Sequence, residues 1–257
     1  MTRRRLVTAA VAAPLAANPQ DPSKRNQIFE LRKYFLRNSP ENQRQRLTQF
    51  LQKSYIPAFG RAGVKQIGAF SSLIAPDTPF ILTVIAHASL AAYEAAHAAV
   101  GADPEYKKQA EAFYSQPGVN FVRYESSLLK AFDSVPSIEI PEPAKTPRLF
   151  ELRTYESDNN LTLGKKVGMF NSGEIAIFRK TGLAPVFFGT TIIGQHQPNL
   201  TYMLWFDDLA ARERNWKTFV ASPEWNKLKA TPGLSDAEIV SNISNILLSP
   251  LPFSPIR

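Results

Sequence analysis

The sequence predicts an α+β protein: two tandem β-α-β-β-α-β units that come together as a pseudo-dimeric α/β barrel. Three observations carry this. The stretch Ile28-Phe29-Glu30-Leu31-Arg32-Lys33-Tyr34 returns about 120 residues later as Leu149-Phe150-Glu151-Leu152-Arg153-Thr154-Tyr155. Later landmarks repeat in the same order: Gly63-Val64 with Gly182-Leu183, Asp103-Pro104-Glu105-Tyr106 with Ser222-Pro223-Glu224-Trp225, and Leu128-Leu129 with Leu247-Leu248. Such collinear self-similarity is the mark of duplication. Finally, prolines at 136, 141, 143 and 147 make the stretch between the copies a stiff connector. A lone four-stranded sheet would leave one face bare, so the two sheets are expected to meet face to face.

Each element follows from local pattern. In the first unit, residues 28–36 alternate as a strand and 41–59 have helical periodicity. Residues 66–74 and 80–87 are β-rich and separated by Ala75-Pro76-Asp77-Thr78-Pro79, a turn by composition. Residues 90–100 form an Ala-rich helix. Pro104 opens another at its first turn, where a missing N–H costs nothing, and 120–129 close the unit as a strand. The second unit repeats the series: strand 149–155, helix 161–181, strands 184–193 and 200–206, helices 208–220 and 223–230, strand 237–248. The expected divisions are therefore 28–131 and 148–249, joined by 132–147.

The N-terminus reads as a targeting segment. Arg3-Arg4-Arg5 precedes a short Ala-rich apolar run ending near Ala17. That order resembles a twin-arginine signal over 1–17, implying a bacterial protein exported to the periplasm or secreted. The apolar run is about ten residues, against roughly 20 needed to span a bilayer. Cysteine is absent, so no disulfide supports the fold and apolar burial must. The net charge of +8 falls by three once the signal arginines are removed. The remaining basic residues are scattered, which argues against nucleic-acid binding.

Strand alternation sorts the first strands into two faces. Phe150, Leu152 and Thr154 share one; Glu151, Arg153 and Tyr155 share the other. The first unit has Phe29, Leu31 and Lys33 against Glu30, Arg32 and Tyr34. The apolar set is expected under the helices, sending Glu, Arg and Tyr into the barrel. There Arg32, Tyr34, Glu151, Arg153 and Tyr155 are either structural ion pairs or ligand-facing groups. Glu174 lies in the middle of the apolar stripe made by Leu163, Val167, Phe170, Ile177 and Phe178, with Asn171 at its edge. At an offset of 120, Ser54 and Leu51 stand opposite these two. A carboxylate on a buried face must be paired, hydrogen-bonded or protonated. Glu174 is thus either locked by Arg153 or Arg179, or part of a ligand pocket with Asn171. His87, His97 and His196 show no metal-ligand spacing, and no metal site is expected.

The two Phe-Glu-Leu-Arg-x-Tyr openings, Met169-Phe170-Asn171-Ser172-Gly173-Glu174 and Asn199-Leu200-Thr201-Tyr202-Met203 resemble the NIPSNAP family, over most of 28–249 and more closely in the second unit. The resemblance implies ferredoxin-like units of the dimeric α/β-barrel superfamily. That fold hosts haem-degrading and antibiotic-biosynthesis monooxygenases as well as non-enzymatic members. It therefore leaves the cofactor open, with haem at His87 or His97 as one option. No phosphate loop, nucleophile elbow or His-Glu-x-x-His is present. The expectation is a binding or scaffold protein for a small apolar or amphipathic ligand, able to form homo-oligomers. The alternative is a monooxygenase-like enzyme, cofactor-independent or haem-dependent.

Overall fold

The computed structural model describes residues 26–144 and 146–257; the proposed signal at 1–17 lies outside them. Eight strands make one closed barrel: β1 (Ile28–Phe35), β2 (Ile67–Ile74), β3 (Phe80–His87), β4 (Arg123–Ala131), β5 (Leu149–Glu156), β6 (Ala184–Ile193), β7 (Asn199–Phe206) and β8 (Asn242–Pro250). Their order around the barrel is β1-β3-β2-β8-β5-β7-β6-β4, and every pairing is antiparallel. Each half contributes four neighbouring strands in the same relative order. The halves do not simply stack as two facing sheets. They hydrogen-bond edge to edge, β2 to β8 and β4 to β6, with a register irregularity in each seam. Closure removes every free edge, which stacking would have left exposed.

Helices cover the outside. The first half carries α1 (Gln43–Phe50), α2 (Ile56–Arg61), α3 (Leu90–Ala102) and α4 (Pro104–Tyr114). The second carries α5 (Asn160–Met169), α6 (Ile175–Lys180), α7 (Leu209–Ala221), α8 (Pro223–Lys229) and α9 (Asp236–Ile239). Side-chain caps start α3, α4, α7 and α8: Ser89, Asp103, Asp208 and Ser222 accept from backbone N–H groups of the following turn. The final strand is shorter than its periodicity implies. Residues 236–239 form α9, begun by a Ser235/Glu238 capping box.

One local feature is absent from the apolar pattern. A π turn, Leu51–Tyr55, joins α1 to α2, and another, Phe170–Glu174, joins α5 to α6. Matching π turns, and the left-handed Gly63 and Gly182 that end the two helices, put this region at an offset of 119. The first strands, matched by their pairing with β3 and β7, are offset by 121. The connection from first strand to first helix is therefore two residues shorter in the second half. The offset of 120 fails here: Tyr55 stands opposite Glu174, and exposed Gln52 opposite Asn171.

Three cores result. Two lie between sheet and helices, one around Leu47, Tyr55, Phe59 and Ile85, the other around Phe170, Phe178, Phe188 and Tyr202. The third fills the barrel: Phe29, Leu31, Phe70, Phe150, Leu152, Phe187, Met203 and Leu248. The expected strand faces are thus inverted. Phe29, Leu31, Phe150 and Leu152 point inward, while Glu30, Arg32, Glu151 and Arg153 lie beneath the helices. The lumen of an eight-stranded barrel has room for packed side chains, not for solvated charges. The helices, in contrast, bring hydrogen-bond partners.

The connector and the C-terminal tail close one end. Val135 and Ile138 are buried, and Ile138 and Ile256 join the lumen core. The Gln27 N–H donates to Pro136, and Arg148 Nη1 donates to the Arg257 carbonyl at 2.8 Å. Gly189 marks a close approach in the β4–β6 seam. A Cβ there would lie 2.9 Å from Leu129 Cβ and 3.2 Å from the Lys130 carbonyl oxygen. We expect G189V to destabilise the barrel by about 2 kcal/mol through overpacking, read by urea unfolding. An unchanged midpoint would mean that the seam yields freely.

Candidate functional site

The other end of the barrel is open. A cavity of about 390 Å³ lies between the tips of the β2–β3 and β6–β7 hairpins, where Asp77 and His196 take left-handed backbone conformations. Its floor is apolar, formed by Leu31, Leu129, Leu152 and Ile246. Its rim is polar and includes Lys33, Glu125, Thr154, Glu156, Thr201 and Asn242. Thr154 and Thr201 share a hydrogen bond of 2.9 Å, and Asn242 donates to Glu156 at 2.9 Å. Lys33 is the sole Lys or Arg in the lining. Burial pulls its ammonium below the ordinary value, against the raising pull of Glu125 and Asp77. Alternation along β4, β5, β7 and β8 makes this site: the inward residues turn from apolar to polar towards the mouth.

The expected site residues lie elsewhere. Glu151, on the helix-covered face of β5, accepts from Arg153 at 3.1 Å, from Arg212 at 2.6 Å and from the Trp216 indole at 2.8 Å. Arg153 also donates to Tyr155, whose hydroxyl accepts from Tyr202 at 2.9 Å. In the first half, Arg32 donates to Glu30 at 2.7 Å and to Ser126 at 3.0 Å, and Tyr34 is buried beside Phe121. The expected Glu–Arg pairing on one strand face is present in both halves.

Glu174 is fully buried, and its partner is neither Arg153 nor Arg179. Lys166, on α5, donates to it at 3.0 Å and also to Asp236 of α9 at 3.0 Å. Arg179 instead pairs with Glu139 of the connector. The Lys166 ammonium sits 4.9 Å from the Phe170 ring centre and 5.4 Å from that of Trp225. Burial pushes the Glu174 carboxyl up to about 7, although Lys166 pulls it down. Asn171 accepts from the backbone N–H and the hydroxyl of Ser134, tying the π turn to the connector. Neither Glu174 nor Asn171 lines the mouth cavity. Sequence reading missed Lys166 because a lysine at a helical surface position is ordinarily solvated; only the docking of α9 and Trp225 buries it.

It also missed a convergence in the first half. His87 ends β3 and His97 lies on α3; their Nε2 atoms reach the same oxygen of Glu30, at 3.3 and 2.7 Å. Burial pushes Glu30 up, but hydrogen bonds from both histidines and the Arg32 charge prevail, holding it at about 2. These three residues are 57 and 67 positions apart, so spacing could not have revealed them.

Fold and site define an α+β protein: one closed eight-stranded antiparallel barrel with helices on its outside. Residues 150–255 match the NIPSNAP family model. No curated protein sequence matches the chain significantly. Among solved structures, a candidate monooxygenase from Lactobacillus acidophilus NCFM superposes with a TM-score of 0.58 at 10% identity, covering 88% of this chain and 94% of its own. Another, from Fusobacterium nucleatum subsp. nucleatum, gives 0.57 at 8% identity over 88% and 93%. An anthrone oxidase-like protein gives 0.51 at 9% identity over 89% and 93%. At these identities the likeness is one of fold.

Two measurements follow from the buried carboxylates. Because the folded-state value of Glu30 lies below the ordinary 4.5, its contribution is complete above 4.5 and lost as pH falls towards 2. E30Q should cost about 3 kcal/mol at pH 7, and the gap to the native protein should narrow across that window in urea unfolding. For the second, E174L alone strands the Lys166 ammonium with only Asp236 and should cost about 3 kcal/mol. The double variant K166M/E174L should recover to within about 1 kcal/mol of the native protein, since an apolar pair replaces an ion pair. Calorimetry showing equal loss in both variants would contradict this account.

Proposed function

We propose that the protein binds a small amphipathic molecule in the open mouth of its barrel. The observation that carries this reading is the cavity of about 390 Å³ with an apolar floor and a polar rim. Small-ligand pockets commonly fall at roughly 300–1,000 Å³ and combine an apolar lining with a few orienting polar groups. The apolar part of the ligand sits against Leu129, Leu152 and Ile246, and its polar head meets Lys33, Thr154 and Asn242. With Glu125 and Glu156 on the same rim, that head is a hydrogen-bonding group rather than a dense anion. Arg32, Tyr34, Glu151, Arg153, Tyr155, Asn171 and Glu174 then support the barrel from outside instead of touching the ligand.

A monooxygenase-like reaction is the second reading, and Lys33 favours it. A lysine whose ammonium is weakened by burial is suited to act as a base on a bound substrate. In the same reading, two tandem ferredoxin-like units, 28–131 and 148–249, arose by duplication around the connector at 132–147. Residues 1–17 direct twin-arginine export to the periplasm, and the exported barrel can assemble with further copies. Among the described residues, no helix is long and apolar enough to cross a membrane.

Titration with N-phenyl-1-naphthylamine, an uncharged fluorophore with an apolar body and an N–H donor, tests the binding reading. Native protein should enhance its fluorescence saturably. L152W and I246W, which fill the cavity floor, should weaken binding at least tenfold without lowering the melting temperature. Equal binding by all three proteins would refute the mouth as the site.

A further inference from the structure

We propose that Glu30, His87 and His97 form a binding site for a divalent transition-metal ion, on the outer face of the first half and separate from the barrel mouth. One carboxylate oxygen and one nitrogen from each imidazole lie within 4.8 Å of one another. Two metal bonds of about 2.1 Å, set at a right angle or a tetrahedral angle, hold their donors about 3.0–3.4 Å apart. The His87–Glu30 separation of 3.3 Å already fits, and the His97–Glu30 separation of 2.7 Å needs a small opening. That opening is available. His97 lies on the surface helix α3 and is partly exposed, whereas His87 and Glu30 are fixed in the sheet and buried.

The chemistry of the donor set suits the ion. Two imidazoles and one carboxylate select zinc, iron, cobalt, nickel or copper over magnesium or calcium, which prefer oxygen donors. Arg32 occupies the other oxygen of Glu30 at 2.7 Å, which orients the carboxylate as an outer-shell partner does. The rings of Tyr93 and Phe59 stand 4.5 and 5.1 Å from that of His97 and wall the site. Three protein donors leave coordination positions open on the side that His97 exposes.

The second half is an internal control. β3 and β7 have equal length and equivalent pairing with β1 and β5, and α3 and α7 have equal length. His87 therefore corresponds to Phe206, His97 to Trp216 and Tyr93 to Arg212. The second half keeps the carboxylate, Glu151, but answers it with two guanidinium groups and an indole. Structure alone is thus satisfied without histidine. The first half replaces an apolar residue, an indole and a cation by two metal-competent side chains and a tyrosine around the same carboxylate.

The test uses untagged full-length protein and Co²⁺ as the probe. Native protein, incubated with Co²⁺ and desalted, should retain about one equivalent by elemental analysis and show the visible ligand-field absorption of a nitrogen–oxygen site. H97W, which installs the residue of the second half and can keep a hydrogen bond to Glu30, should fold with a similar melting temperature and lose at least nine-tenths of the retained cobalt. H97A provides the same readout should the larger ring disturb α3, and H196A should bind as the native protein does. Retention far below one equivalent in native protein, or unchanged retention in folded H97W and H97A, would overturn the site.

Discussion

Over its packed end, the closed eight-stranded barrel holds only interdigitated apolar side chains, and that constraint decides where the carboxylates of the first strands go. With Phe29, Phe150 and Phe187 filling one end of the lumen, alternation forces Glu30 and Glu151 outward. A carboxylate there cannot remain bare, because helices cover it. Each half therefore recruits donors from its covering helix: His97 from α3, and Arg212 and Trp216 from α7. The two nodes also pin a helix to the sheet, so polar satisfaction and helix docking are one event.

Lumen filling is uneven, which separates the two ends functionally. At one end the connector and C-terminal tail add Ile138 and Ile256 to the packed core. At the other, inward positions become Lys33, Thr154 and Ser244, too polar to collapse into a dry core, and a cavity persists. Small and polar residues at the mouth leave space that Leu or Phe would have occupied. The polar rim and the adjoining apolar floor together give the mouth its amphipathic character.

The two halves differ at several matched buried positions. Lys166, Glu174 and Asp236 form an ion cluster in the second half, where the first has buried Leu47 and Tyr55 at the matching helix positions. Conversely, the histidines of the first half have no counterpart in the second. Each carboxylate node holds its own covering helix, and the two nodes do so with different donors.

Much was legible in the chain itself. The repeated Phe-Glu-Leu-Arg-x-Tyr strand, the turn-rich hairpin tips and the proline connector identified two like halves and nearly all their elements, because periodicity and turn chemistry are local. Glu174 was recognisable as a buried carboxylate for the same reason. Which face of β1 and β5 points inward was not legible, since alternation defines two faces without saying which one meets the lumen. Nor were the π turns, which shift helical register by one residue without altering composition. Beyond the arginine two residues on, the partners of Glu30 and Glu151 lie 57 to 67 and 61 to 65 residues away, and Lys166 lies 8 residues from Glu174. Lys166, close as it is, matters only because α9 and Trp225 exclude water around it. Local pattern set the elements; barrel closure, a global event, chose inside from outside and so brought these donors to their carboxylates.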